Sequence, residues 1–165
     1  MKLAILPAAI LALSGLSAPA RAAPDAILVS PPTLSSAAAR KLLAQSIAVS
    51  KQRGYHLCLA IEDGHGGLLA FDRDDEAAPG CVAAAIAKAT SAATNGADTE
   101  VFLAFARDHN PALGAIPGIV PAVAGVVLRK GDAVVGSLGI AGGPSDAEEK
   151  RFADELRQQL QDWLD

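Results

Sequence analysis

The sequence predicts an α+β domain in which an antiparallel sheet is covered by helices. Apolar periodicity and turn residues place the elements in the order helix, hairpin, two helices, hairpin, helix. Each pair of strands is joined by a short glycine-containing turn, and such hairpins imply antiparallel pairing. Strands and helices do not alternate singly, so a parallel, Rossmann-type sheet is not expected.

The first predicted helix follows an extended lead-in over Ala26 to Pro32, whose paired prolines stop any earlier helix. Thr33 or Ser35 caps this helix, which runs to about Arg53 and ends at Gly54. Its buried side carries the larger apolar residues, Leu42, Leu43, Ile47 and Val49.

The first hairpin consists of strands over Leu57–Glu62 and Leu68–Asp72, with a glycine-rich turn between them. After a polar loop, an alanine-rich helix runs from about Cys81 to Asn95 and closes at Gly96. Asp98 or Thr99 then caps a short helix that ends near Asp108.

The segment from Pro111 to Pro121 is rich in proline and glycine and is predicted to be a loop. Strands over about Ala124–Arg129 and Ala133–Ala141 form the second hairpin. Ser145 and Glu148 make a capping box for the last helix. Its core stripe recurs every four residues at Phe152, Leu156, Leu160 and Trp163 or Leu164.

Composition limits the classes of function. The chain has 165 residues, of which 51% are hydrophobic and only 4% aromatic, with a formal net charge of -4. This length suits one compact domain with its own core. The negative charge argues against nucleic acid as the main partner, because phosphate binding needs a basic face.

The N-terminus is predicted to be a signal peptide over residues 1–22. Lys2 precedes an apolar stretch from Leu3 to Leu16, and Ala20 and Ala22 fit the small residues required before a cleavage site. Cleavage after Ala22 is the first choice, cleavage after Ala20 the second, and an uncleaved membrane anchor the rival. Residues 23–165 would then form a single periplasmic or secreted domain, in a compartment where disulfides persist.

Two cations, Lys88 and Arg73, are candidate contacts for an anionic ligand. Lys88 is the only charged residue in the alanine-rich helix; it is either a lysine that extends to the surface or a lone cation facing an anionic group. Arg73 lies among Asp72, Asp74, Asp75 and Glu76, a cluster typical of a solvated loop.

Histidines and glycines gave further candidates. Val101, Phe105 and His109 share one helix face, so His109 is either the residue that ends this helix or an iron ligand beside an apolar pocket. Gly136 and Gly139 lie within a strand, where they allow close approach by a helix, by a ligand or by another subunit; a phosphate-binding turn is a further alternative. No catalytic motif was found, and no metal site is predicted.

Cys58 and Cys81 are the only cysteines. In an exported protein they either form a disulfide, which would contribute about 3 kcal/mol, or Cys58 is a buried core residue. The sequence leaves both alternatives open.

Five segments in order resemble the GlcG/HbpS family, which shares its domain with the C-terminal part of PduO. They are Leu59–Phe71 followed by Arg73, Ile86–Ala93, Thr99, Pro117–Ile119 and Val134–Gly143. The resemblance covers about residues 33 to 155. It implies a profilin-like fold of α/β/α layers, homo-oligomers built through helix faces, and binding of haem or a corrinoid in several members. It also implies, for exported members, a possible membrane receptor.

The chain departs from the family pattern in three places. Arg73-Asp74-Asp75-Glu76 replaces an Arg-Met-Asp-Gly run, and Ala124–Leu128 replaces Gly-Gly-Leu-Pro-Ile. Where some members carry a histidine in the first helix, this chain has Ala37-Ala38-Ala39, so that route to a haem ligand is closed. If haem binds, His109 or a contact near Lys88 must serve.

The leading hypothesis is therefore an exported binding protein for haem or a related tetrapyrrole, acting in sequestration or sensing. The cofactor-binding residues would be Lys88, Arg73, His109, Gly136 and Gly139. Two alternatives remain: an enzyme acting on haem or a small organic acid, and an oligomeric structural or sensory partner protein without a ligand.

Overall fold

A computed structural model describes residues 30–164, apart from the side chain of Leu164. The predicted signal peptide and most of the extended lead-in lie outside the described residues. The described elements are helices α1 (Ser36–Gln52), α2 (Cys81–Asn95), α3 (Thr99–Asp108) and α4 (Asp146–Leu164), and strands β1 (Cys58–Asp63), β2 (Leu68–Arg73), β3 (Gly125–Lys130) and β4 (Ala133–Ala141). No helix among these residues is long and apolar enough to span a membrane.

The four strands form one antiparallel sheet in the order β2-β1-β4-β3. Both predicted hairpins are therefore present, and β1 and β4 pair in the centre. This confirms the predicted α+β class with an antiparallel sheet and flanking helices. The register of β1 against β2 shifts between Ile61 and Glu62, a bulge that changes where the following side chain points.

Helices α1 and α4 cover one face of the sheet. Large apolar side chains fill this layer because alternate strand residues point to the same side; its most deeply buried members are Leu59, Ile61, Leu128, Leu138, Ile140, Phe152, Leu156 and Leu160. Three of the residues predicted for the α4 stripe, Phe152, Leu156 and Leu160, thus lie in the core. On the same face of the sheet, Ser35 caps α1 by accepting a hydrogen bond from the backbone N–H of Ala38.

The fourth position of that stripe was predicted to be Trp163 or Leu164, and Trp163 does not lie in the core. Trp163 is 46% exposed, and the Lys41 ammonium lies 4.1 Å from the centre of its ring. The side chain of Leu164 lies outside the described part. At the other end of α4, Ser145 Oγ accepts the N–H of Glu148. The Glu148 carboxylate accepts the Tyr55 hydroxyl proton instead of closing the capping box.

Helix α2 covers the opposite face, where the packed side chains are small. Cys58, Ala60 and Ala141 from the sheet meet Ala85 and Ala89 from the helix. Small side chains on both sides let the helix approach the strands closely.

The segment predicted to be a loop after α3 contains a 3₁₀ helix, Pro111–Ala115. Asn110 caps it by accepting the N–H of Ala112, and proline at its first position needs no hydrogen-bond partner for its nitrogen. This short helix packs beside α3.

Candidate functional site

Helix α3 is held to the domain mainly by its first turn. Thr99 is fully buried, and its hydroxyl oxygen accepts the N–H of Gly125 in β3. The carboxylate of Asp98 accepts the N–H of Val127 and pairs with Arg157 of α4. Beyond this turn no residue of α3 is buried. Leu103 packs half-buried against the core, and the side of the helix that carries Val101 and Phe105 is exposed.

Two large apolar side chains of α3, Val101 and Phe105, are exposed. Val101 is 58% exposed and Phe105 47%, while Ile116, after the neighbouring 3₁₀ helix, is 48% exposed. We call this surface, with His109 at its end, the α3 face. Exposed apolar side chains gathered in one region are typical of a binding surface.

His109 ends α3, and its imidazole is exposed. Its backbone N–H donates to the carbonyl of Phe105, and its ring centre lies 5.1 Å from that of Phe105. Both roles considered for His109 thus fit the structure: it terminates the helix, and it offers a ring nitrogen beside an apolar surface. The role in ligand binding stays a prediction.

Lys88 is buried, so the interpretation as an extended surface lysine is wrong. Its ammonium group donates to the carbonyl of Ile140 at 2.9 Å and to Glu149 Oε2 at 2.6 Å. The other oxygen of Glu149 accepts the backbone N–H groups of Gly142 and Gly143, both at 2.8 Å. A carboxylate of this chain therefore already occupies the anion position beside Lys88.

Arg73 lies at the exposed end of β2. Its guanidinium donates twice to the carbonyl of Ala77. Asp72, Asp74 and Asp75 line the same cleft of about 260 Å³. Lys51 also lines this cleft, whereas Lys88 does not, so the two predicted cations do not share this cleft.

Gly136 and Gly139 are both covered by atoms of this chain. A Cβ at Gly139 would lie 2.0 Å from the carbonyl oxygen of Ala85 in α2, and one at Gly136 would lie 2.7 Å from that of Glu62. Close packing thus accounts for both glycines.

Cys58 and Cys81 form a disulfide that joins β1 to the first residue of α2. The structure therefore agrees with the first of the two alternatives, and Cys58 is fully buried as well.

The remaining histidines, His56 and His65, lie on the surface. The imidazole of His56 contacts the carboxylate of Asp74, which raises the pKa of His56. His65 is exposed in the first hairpin turn.

Sequence reasoning missed Glu62. Its side chain is 1% exposed, and its Oε2 has no hydrogen-bond partner among the described residues. Its Oε1 lies 2.8 Å from the hydroxyl of Thr90 in α2. Burial, with the carboxylate of Asp63 beside it, raises the pKa of Glu62 to about 7. The sequence did contain a signal for its burial. Side chains alternate along a strand, so Glu62 points to the same side of the sheet as Cys58 and Ala60, which are buried against α2.

The histidine and acid arrangement does not suggest a metal site. Among residues 30–164 there is no group of three or more histidine, cysteine, aspartate or glutamate side chains that could hold an ion.

Comparison with solved structures shows that several proteins share this fold. A double mutant of HbpS from Streptomyces reticuli is 27% identical, with a TM-score of 0.75, over 87% of this chain and 98% of that one. The protein ORFY of Klebsiella pneumoniae shares the fold at 18% identity, with a TM-score of 0.77 over 87% of this chain and 100% of that one. The protein of a PduOC:heme complex shares it at 20% identity, with a TM-score of 0.68 over 76% of this chain and 94% of that one.

No curated protein matches the chain in sequence. The family model described as "Haem degrading protein HbpS-like" matches residues 34–156, which is most of the chain and includes every helix and strand up to the middle of α4. The chain therefore belongs to the HbpS-like family.

Proposed function

We propose that this protein binds haem or a related tetrapyrrole on the α3 face, as a binding protein outside the cytoplasm. The observation that carries the proposal is the exposed imidazole of His109, stacked at a tilt against Phe105 at the end of an exposed apolar helix face. Membership of the HbpS-like family supports it, as does the fold shared with the protein of the PduOC:heme complex.

The residues present fit the group. Val101 and Phe105 offer apolar area to a flat macrocycle, and His109 offers a ring nitrogen of the kind that ligates haem iron. Bound haem would supply an iron centre that accepts an axial ligand. Lys88 and Arg73 are engaged elsewhere, so the proposal does not depend on them.

Export is the second part of the proposal. The predicted signal peptide favours it, and the disulfide between Cys58 and Cys81 supports it, because such bonds persist mainly in oxidising compartments. Sequestration and sensing are both compatible with a binding protein there; degradation of haem would need catalytic groups that the sequence did not suggest.

The test is a hemin titration of the purified protein, followed by the Soret band. We expect a saturable change at micromolar hemin. His109→Ala should weaken binding at least about tenfold, the loss of about 1.4 kcal/mol, and should remove the spectrum of a histidine-ligated iron. The matched control is His65→Ala, because His65 is also an exposed histidine but lies in the first hairpin turn and not on the α3 face. This variant should bind hemin as tightly as the wild type does.

A second copy of this chain is the competing occupant of the α3 face, in line with the predicted homo-oligomer. Light scattering of the wild type and of Phe105→Glu, each with and without hemin, separates the two occupants. An oligomer that Phe105→Glu dissociates, in a protein that binds no hemin, would overturn the haem proposal and leave an interaction protein. A membrane receptor remains a prediction.

A further inference from the structure

A cleft of about 400 Å³ lies at the first turn of α3. We propose that it is an anion site that holds carboxylate groups of the ligand bound on the α3 face, an assignment that rests on the proposed function. The cleft is built from α3, β3 and α4, and its main lining residues are Asp98, Val101, Val127, Arg129, Arg157 and Gln161.

Both arginines of the cleft are held in place by protein acceptors. Arg129 donates to the carbonyl oxygens of Gly96 at 2.7 Å and Asp132 at 3.0 Å. Arg157 donates to Asp98 at 2.5 Å and to Asp154 at 2.6 Å. A guanidinium has five N–H donors, so each retains donors for a ligand. Because both side chains are already ordered, an anion would immobilise little additional side chain on binding.

The charge of the cleft comes from Arg129. The two acceptors of its side chain are neutral backbone oxygens, and it makes no ion pair with any residue between 30 and 164. Arg157, in contrast, is paired with two carboxylates. In a chain with a net charge of -4, Arg129 is thus a half-buried cation without a carboxylate partner. A guanidinium of this kind suits a carboxylate, which can accept two parallel N–H groups.

The cleft continues into the α3 face through Val101. This residue lines the cleft and is also 58% exposed on the face. His109 lies eight residues further along, about 12 Å by the helical rise. A ligand with a flat apolar body and carboxylates at one edge, such as a tetrapyrrole with propionate groups, matches this order of imidazole, apolar face and guanidinium.

The test compares hemin with hemin dimethyl ester, which lacks the free carboxylates, on wild-type protein and on Arg129→Gln. We expect Arg129→Gln to weaken hemin binding about tenfold while leaving the position of the Soret band unchanged, because His109 still provides the axial ligand. The ester should bind both proteins equally. Arg107→Gln, an exposed arginine on α3 outside the cleft, is the matched control and should not change hemin affinity.

Inorganic phosphate and propionate, each added as a competitor, distinguish a carboxylate site from a general anion site. We expect propionate to weaken hemin binding in the wild type and to have no effect in Arg129→Gln; competition by phosphate alone would overturn the assignment to carboxylates. Hemin binding that Arg129→Gln leaves unchanged refutes the anion site alone. A wild-type protein that binds no hemin refutes the proposed function and this assignment with it.

Discussion

Ionisation of Glu62 provides a sensitive test of the packing between the first hairpin and α2. The Thr90 hydroxyl lies 2.8 Å from Glu62 Oε1 and 3.0 Å from the carbonyl oxygen of Ile86. A hydroxyl has one proton, so when Thr90 donates it to Ile86, the contact with Glu62 is a hydrogen bond only if Glu62 is protonated and donates to Thr90. Above its pKa, the carboxylate would be buried with one oxygen unpartnered and the Asp63 carboxylate nearby.

The sign and size of the effect follow from linkage. The pKa of Glu62 rises from 4.5 to about 7 on folding. Between these values the unfolded chain releases the proton while the folded protein keeps it, so the free energy of unfolding falls as pH rises. At about 1.4 kcal/mol for each pH unit, the full loss is about 3 kcal/mol, complete above pH about 7.

Glu62 is faced by side chains of its own hairpin, of α2 and of the two neighbouring strands. Asp63 and His65 belong to its own hairpin. Helix α2 faces it with Thr90 and Thr94, and the neighbouring positions of β4 and β2 are Ser137 and Leu68. No cation among these positions compensates the charge, since His65 is exposed in the turn.

The assay is urea unfolding at a series of pH values between 4.5 and 8, for the wild type and for Glu62→Gln. The variant should match the wild type near pH 4.5 and exceed its stability by about 3 kcal/mol at pH 8. Asp75→Asn, which also replaces a carboxyl group by an amide but at an exposed side chain, should follow the wild type throughout. If Glu62→Gln has the pH dependence of the wild type, or is less stable at pH 8, the reasoning is refuted.

Three further predictions concern the packing of α2. Gly139→Ala should destabilise the protein by about 3 kcal/mol or more, since its methyl group would meet the α2 backbone; Gly80→Ala, in open space, should change urea unfolding little, and equal effects would contradict the packing. Reduction of the Cys58–Cys81 disulfide, which spans 23 residues, should lower stability by about 3 kcal/mol, measured by urea unfolding with and without dithiothreitol; no change would speak against the bond. Lys88→Met should destabilise by about 3–5 kcal/mol, because it leaves a buried carboxylate unpaired, and a thermal midpoint equal to that of the wild type would contradict this.

The elements that the sequence predicted well are those with local signals. Helix α2 has the predicted bounds Cys81–Asn95, because Gly96 adopts the left-handed conformation that ends a helix. Both hairpins are present because glycine turns join strands of matching apolar pattern. The 3₁₀ helix was missed, since its proline and Asn110 also fit an irregular loop.

The sites depend on contacts between distant parts of the chain, which single residues do not reveal. Lys88 and Glu149 are 61 residues apart. Lys88 therefore looked like a lone cation in the sequence, whereas in the structure it forms an ion pair with Glu149. Arg129 and Arg157 come together only because α4 packs over β3. His109 was identified because helical spacing alone places it beside Phe105.

The most direct test of the central claim is a crystal structure of the protein with hemin. The account predicts that the macrocycle lies on Val101 and Phe105, with the imidazole of His109 at the iron and a propionate at Arg129. A macrocycle bound elsewhere, with the α3 face free or covered by a second copy of the chain, would contradict it.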